Sequence, residues 1–371
     1  MEVKEQVNEK EEVLDLAGIV SQFQISGKMA SAAPLGRGHI NDTYRVRNAE
    51  PGHPDYLLQR INHQIFRDVD LLMDNIVRVT GHLKTKAMDP EREVLTVIGT
   101  QAGGTYFREA GGNYWRMLDF KEKTHSYDQI TDPGQAFQGG KAFGRFQLQL
   151  ADLPAETLGC TIPDFHNLQK RVADFETALK EDTAGRSSAA AAEIRYLCDK
   201  KEAMLQLSRE VEACPLRVTH NDTKFNNLLL DSAGRVQCVV DLDTVMPGYL
   251  AYDFGDAMRT LINSAAEDEP DLSRIRLNIP VFEAYTRGYL EEVQGLITGP
   301  EIESLTAGMQ VLPYMQSIRF LTDYLSGDLY YKVLYPGHNL IRTRAQSALL
   351  AAITGRKADL GKFIREAVGP R

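Results

Sequence analysis

The chain has little of what would mark several classes of protein. Its 371 residues include four cysteines, Cys160, Cys198, Cys214 and Cys238, widely spaced and forming no CxxC pair. That spacing excludes a disulfide framework and a cysteine zinc cluster, suits a reducing compartment, and reads the thiols as small buried side chains. No run of about eighteen apolar residues occurs, so no membrane span is expected. The first residues, Met1 to Glu12, lack a basic start followed by an apolar run, so no signal peptide is read there and the expected location is the cytoplasm. Positive charge is not in excess: 42 Lys and Arg stand against 51 Asp and Glu, for a net charge of −9. This argues against a non-specific nucleic-acid binder. No unit of about 20–50 residues repeats, which excludes a solenoid or a propeller. What remains is ordinary globular composition, 43% hydrophobic and 25% charged, enough for one large domain or two lobes.

The pattern changes along the chain. Residues 11–30 read as a short helix. Pro34 to Val46 reads as a glycine turn running into a strand, and Tyr56 to Ile61 as its hairpin partner. Val69, Leu72, Ile76, Val79 and Leu83 recur at helical spacing over 68–86. Val94 to Ile98 and Asn113 to Phe120 are strand-like. Beyond Phe120 helical spacing dominates, with Phe143, Phe146 and Leu150 on one face and Phe165, Leu168, Val172, Phe175 and Leu179 on another. A further helix is read from Ala189 to Ala213, and others over 273–295, 301–326 and 342–368. Strands return only at 216–242. The expectation is an α+β chain of two lobes. Residues 1–119 form a small antiparallel sheet that binds nucleotide, and residues 120–371 a mainly helical lobe that carries catalysis and substrate.

The most informative stretch is His220-Asn221-Asp222-Thr223-Lys224-Phe225-Asn226-Asn227, followed by Asp241, fourteen residues past Asn227, at the end of an apolar run. Asp222 and Asn227 fall on a loop, and two short strands around the turn at Ser232 to Gly234 bring Asn227 and Asp241 together. A carboxylate on a loop, an amide five residues on and a carboxylate at the next strand end are the parts of a phosphoryl-transfer site. The first takes the proton of an attacking hydroxyl and the other two hold Mg²⁺. Lys224 supplies a cation for the transferring group. His220 is read as orienting the loop. Asp253-Phe254-Gly255 spells the metal-binding tripeptide of protein kinases, but it lies 26 residues past Asn227. The metal is therefore assigned to Asp241, and Asp253 is read as bracing the loop and capping a helix from Asp256. Asp243 is a lesser candidate for a second metal. Gly36-Arg37-Gly38 offers backbone N–H groups for phosphates. The Walker-like run from Gly134 to Lys141 is one residue too long and is read as helix.

With these residues in view, the chain resembles the aminoglycoside phosphotransferase and choline kinase superfamily, which has a protein-kinase-like fold. Its N-acetylhexosamine 1-kinase branch is the most similar. The resemblance is carried by residues 38–44, 58–62, 220–227, 241–248, 252–259 and 318–325. It implies ATP and Mg²⁺ and transfer to the anomeric hydroxyl of N-acetylglucosamine or N-acetylgalactosamine. Asp222 would be the base, and Asn227 and Asp241 the metal ligands. Arg319 with Tyr330, beside Tyr331, would belong to the sugar pocket, and His39 and Asp42 would contact ligand. Gly36, Gly38, Arg60, Met117 and Asp119 would bind the nucleotide, with adenine near the lobe junction. The strand that usually supplies a phosphate-binding Lys here reads Gln59-Arg60, so Arg60 would carry that charge, paired with Asp70 or Asp74. Trp115 is read as core. Another hydroxyl acceptor, of the aminoglycoside, choline or homoserine type, is the alternative, and the chain is expected to act as a monomer. A protein substrate is disfavoured because no recognisable activation loop follows Asn227.

Overall fold

The computed structural model describes residues 14–36 and 40–368. In chain order the elements are α1 (Leu16–Val20), β1 (Met29–Pro34), β2 (Asp42–Asn48), β3 (Tyr56–Ile61), α2 (Val69–Lys86), α3 (Pro90–Glu93), β4 (Val97–Ile98), β5 (Phe107–Arg108) and β6 (Tyr114–Asp119). There follow α4 (Pro133–Gln149), α5 (Leu168–Glu181), α6 (Ala191–Glu212), β7 (Arg217–Thr219), β8 (Leu228–Leu230), β9 (Val236–Val239), β10 (Met246–Gly248), α7 (Leu250–Leu261), α8 (Ile279–Val293), α9 (Gly299–Ser326), α10 (His338–Gly355) and α11 (Lys357–Ala367). An antiparallel sheet towards the N-terminus and helices towards the C-terminus are the expected architecture, and they are found. The chain divides into two compact units, one within residues 1–69 and 96–122, the other within 70–95 and 123–371. The division is discontinuous: α2 and α3, placed in the first lobe by the sequence, group with the helical unit.

In the first unit the sheet runs β1-β2-β3-β6-β4, with β5 also pairing β6. Its core is Ile19, Val20, Phe23, Val46, Tyr56, Leu58, Trp115 and Met117, so Trp115 is a core residue as expected. The expected helix over 11–30 is only α1, and Met29–Pro34 is a strand instead. Its Ala and Ser side chains show no alternation of polar and apolar, and it is an edge strand paired with β2 alone. Arg37, Gly38 and His39 lie outside the described residues.

The second unit is built on close helix crossings. On α2, Leu72, Met73, Ile76, Val79 and Leu83 are buried, as their spacing predicts. A Cβ on Gly308 of α9 would stand 1.9 Å from the Ala251 carbonyl oxygen, and one on Gly255 of α7 would stand 2.5 Å from Gly308. Glycine at this crossing lets α7 lie directly on α9. The Walker-like glycines do similar work: Gly140 sits inside α4, where a Cβ would come 2.1 Å from the Tyr285 carbonyl oxygen of α8. The long α9 opens with a capping box between Thr298 and Glu301 and ends at Gly327 in the left-handed region. The run 342–368, read as one helix, is two: α10 starts at His338, and α11 follows a break at Arg356. The thiols also differ from expectation. Cys238 is buried, Cys214 is half-buried, and Cys160 and Cys198 are exposed. Among the described residues no helix is long and apolar enough to cross a membrane.

Candidate active site

The His220–Asn227 segment leaves β7, makes a short 3₁₀ turn over Phe225–Asn227 and enters the β8–β9 hairpin. The hairpin register sets Leu228 opposite Val239 and Leu230 opposite Val236. The Val240 amide donates to the Asn227 carbonyl at 2.9 Å, which brings Asn227 and Asp241 to the same end, as the sequence implied. Asp241 is exposed and held at φ 59°. A non-glycine residue in the left-handed region costs of order 1–3 kcal/mol, a strain that clusters at functional sites.

Asp222 is the hub of the loop. The Lys224 Nζ lies 2.9 Å from its Oδ1. The Asn227 Nδ2 donates to the Asp222 carbonyl at 2.8 Å and to its Oδ2 at 3.1 Å. Burial alone would lift the Asp222 carboxyl, but Lys224, His220 and the Asn227 amide together hold it below the usual carboxylate range. The Asp222 charge in turn raises Lys224 above its usual range. With Nδ2 spent on Asp222, Asn227 keeps its side-chain oxygen, Oδ1, for another partner. An amide oxygen and an exposed carboxylate on adjoining strand ends are a donor set that suits a hard divalent cation bearing its own waters and phosphate oxygens.

Asp253 braces this loop. It is 3% exposed and lies inside the first turns of α7, whose N-cap is Tyr249. The helix-capping role expected of it is therefore not what it does. Its carboxylate accepts the backbone N–H of His220 at 2.9 Å, that of Asn221 at 2.7 Å, and the Gln147 Nε2 at 2.7 Å. His220 is buried edge-on between Phe143 and Phe146. Its Nε2 donates to the Val240 carbonyl at 3.0 Å, and its Nδ1 accepts the Asp222 amide at 3.3 Å. It ties the Asp222 loop to the residue before Asp241, the orienting part read for it from sequence. Asn221, at φ 64°, anchors the next turn by donating to the Thr244 carbonyl at 3.0 Å. Asp243 is buried on that turn.

A second group of side chains gathers near Asp222 that the motif did not reveal. The His166 ring lies within electrostatic reach of Arg319, Arg171, Asp222 and Arg259. Burial, reinforced by Arg319 and Arg171, pushes it down to about 3, so it is neutral at physiological pH. The Arg319 guanidinium stands 5.8 Å from the Phe165 ring, 5.6 Å from Tyr331 and 6.0 Å from Tyr330, and donates to Gln316 at 3.2 Å. Arg171 donates to the carbonyls of Asp164 and Phe165. Neither arginine has a carboxylate partner among the described residues. The acidic run Glu267 to Glu269, by contrast, is spent internally. Glu267 pairs with Arg259, Asp268 with His338, and Glu269 with Arg274. The residues of this wall come from α5, its preceding loop, α7, α9 and the loop after α9; no sequence spacing connects them.

In the first unit, Asp42 and Arg60 are cross-strand partners, and the Arg60 Nε donates to the Asp42 carboxylate at 2.8 Å. This replaces the expected pairing of Arg60 with Asp70 or Asp74. The pair is exposed and so worth at most about 1 kcal/mol, which leaves both groups free to exchange partners. Gly36 adopts φ 71°, a conformation that favours glycine. The Met117 side chain is enclosed in the core, and its strand is paired on both sides, with Leu58 and Ile98. That arrangement gives no support to a nucleotide contact from the Met117 side chain. Asp119, at the strand end, accepts the Thr96 amide at 2.6 Å and the Lys121 ammonium at 2.6 Å. Gly38 and His39 lie outside the described residues.

An antiparallel sheet, a helical unit, and a braced Asp-to-Asn loop beside a strand-end aspartate together define a kinase-like phosphotransferase fold. The chain matches the phosphotransferase enzyme family (APH) over residues 31–291 and belongs to it. Its fold is of the aminoglycoside phosphotransferase and choline kinase type. Solved structures share the fold at low identity. An aminoglycoside phosphotransferase from Alicyclobacillus acidocaldarius is 11% identical with a TM-score of 0.62, over 97% of this chain and 99% of that one. A microcompartment-associated aminopropanol kinase is 16% identical with a TM-score of 0.62, over 93% and 97%. An amicoumacin kinase in complex with AMP-PNP, Ca²⁺ and Ami is 12% identical with a TM-score of 0.58, over 92% and 91%.

Proposed function

We propose that the protein is an ATP-dependent kinase that phosphorylates the anomeric hydroxyl of an N-acetylhexosamine, giving the 1-phosphate. The observation that carries this reading is the wall near Asp222, with two arginines that have no carboxylate partner among the described residues, three aromatic rings and a neutral His166. A cationic acceptor such as choline or an aminoglycoside calls for acidic or aromatic groups without competing cations. Here the nearby carboxylates are already paired and the unpaired charges are positive. Guanidinium donors suit hydroxyl and amide oxygens, and tyrosine faces suit the apolar face of a pyranose.

Asp222 accepts the proton of the attacking hydroxyl. Its depressed carboxyl makes it a weak base, adequate where bond breaking to the leaving group runs ahead of attack. Lys224 offsets charge on the transferring group while keeping Asp222 ionised. Asn227, through its side-chain oxygen, and Asp241 would hold Mg²⁺. That cation, when bound, neutralises charge on the phosphates. In the first unit we assign Gly36, Arg60 and Asp119 to the nucleotide.

An ADP-release assay over N-acetylglucosamine, N-acetylgalactosamine, choline, ethanolamine, aminopropanol and an aminoglycoside tests the acceptor. Turnover confined to the amino compounds overturns the reading, and phosphorus NMR of the product distinguishes an anomeric phosphate from an ester elsewhere. Arg319→Gln is expected to raise the KM for N-acetylglucosamine about 10- to 100-fold, the effect of losing one charge-assisted hydrogen bond. Asp241→Asn is expected to leave the melting temperature nearly unchanged and to raise the Mg²⁺ concentration for half-maximal rate by about 10- to 100-fold. A titration curve identical to that of the unaltered protein would remove Asp241 from the metal site.

A further inference from the structure

The loop between α9 and α10 combines exposure with a fixed base. Leu329, Tyr330 and Leu334 are 82%, 63% and 73% exposed. Yet the first turn of the loop is closely held. Gly327 and Asp328 both take positive φ, 99° and 62°, and reverse the chain. The Asp323 carboxylate, on a residue 5% exposed, then gathers three successive backbone N–H groups: Leu329 at 2.8 Å, Tyr330 at 2.8 Å and Tyr331 at 2.9 Å. The Asn339 Nδ2, from α10, donates to both Asp323 at 2.8 Å and Asp328 at 2.9 Å. Arg186 closes the other side of Asp328 and also donates to the Tyr324 carbonyl at 3.0 Å. A buried carboxylate is costly unless its lone pairs are met, and here four N–H donors meet them. The groups so fixed are the ones that face Arg319. Tyr331 packs 4.7 Å from Phe320 and 4.8 Å from Tyr330.

We propose that Asp323 is a positioning residue for the acceptor. By holding the 329–331 backbone, bridged through Asn339 to Asp328 and Arg186, it pre-forms the Tyr330–Tyr331–Arg319 wall before substrate arrives. The inference rests on the assignment of that wall to the acceptor. Pre-formation matters because each rotamer-rich side chain and each loop residue ordered on binding subtracts from affinity.

The test compares Asp323→Asn, Arg186→Gln and Arg319→Gln in steady-state kinetics with N-acetylglucosamine and ATP, together with amide hydrogen exchange. An asparagine at 323 presents an NH₂ group to backbone donors, so the amides of 329–331 are expected to exchange about tenfold faster or more. The KM for N-acetylglucosamine should rise about tenfold or more, with kcat and the KM for ATP within about twofold. A merely structural role would move kcat and the KM for ATP as well. Should Asp323→Asn fail to fold, Arg186→Gln, which alters a partly exposed side chain at the far end of the clamp, is expected to raise the acceptor KM about threefold on the same pattern. If Arg319→Gln raises the acceptor KM while neither clamp variant does, the positioning role is overturned and the acceptor site stands. If Arg319→Gln has no effect, or N-acetylglucosamine is not phosphorylated at all, the acceptor assignment falls and the positioning role with it.

Discussion

Asp222→Asn is expected to lower kcat by about 10²- to 10⁴-fold, the span that a positioned general base contributes, with little change in ATP affinity. The asparagine keeps the size and the contact with the Asn227 amide but cannot take a proton, and it releases Lys224 from its ion pair. Acceptor-dependent ADP release at the rate of the unaltered enzyme would sink the assignment. The same site predicts a pH profile. Asp222 is held below the usual carboxylate range, so the active, ionised form is present above that depressed value and is lost as pH falls through it. Any acid limb of kcat/KM from this group therefore lies below about pH 4. His166, pushed down to about 3, and His220, lowered by burial, add no limb near the ordinary histidine value. The linked stability has the same sign as the Asp222 activity. The ion pair's contribution is present above the unfolded carboxylate value, about 3.9, and is lost as pH falls through the folded one.

Asp253→Ala is expected to cost roughly 2–5 kcal/mol of unfolding free energy, measured by urea titration, and activity should fall with it. Two buried amides, of His220 and Asn221, would lose the Asp253 carboxylate that accepts them, and an unmet buried donor costs about 1–3 kcal/mol. Asp253→Asn keeps one carbonyl acceptor and should cost less. This contrast separates the two aspartates that the sequence offers for one role. Asp253 should report in stability first, whereas Asp241 should report in metal dependence with the fold intact. A normal urea midpoint for Asp253→Ala would show that the brace is dispensable.

Much of the fold was legible in short stretches. The apolar spacing of α2 and the strand-turn-strand of β8 and β9 depend on neighbours within a few residues, and both are found where the pattern puts them. Where local signals fail, the reasons are physical. The helix α7 begins at Leu250 rather than near Asp256, and its polar stripe, Asp253, Asp256 and Arg259 three residues apart, is buried with the rest of the helix, so it does not read as a solvated face. The strand β10 contains Pro247, which reads as a breaker, yet it pairs with β7 alone and tolerates the missing donor. Arg60 pairs across the strands and not with the following helix, because register sets Asp42 opposite Arg60.

By itself the sequence determined which groups the loop carries and that they meet. Asp222, Lys224, Asn227 and Asp241 lie within twenty residues, and a turn between two short strands suffices to bring them to one place. Only the tertiary structure decided what surrounds that loop. Asp253 as a brace, His220 as an orienting group and Arg319 beside the tyrosines were expected, but the atoms they meet, and the addition of His166 and Arg171, are contacts between elements remote in the chain. Their partners follow from how α7 crosses α9 and where the loop after α9 is clamped, and helix crossings answer to packing that no local periodicity records.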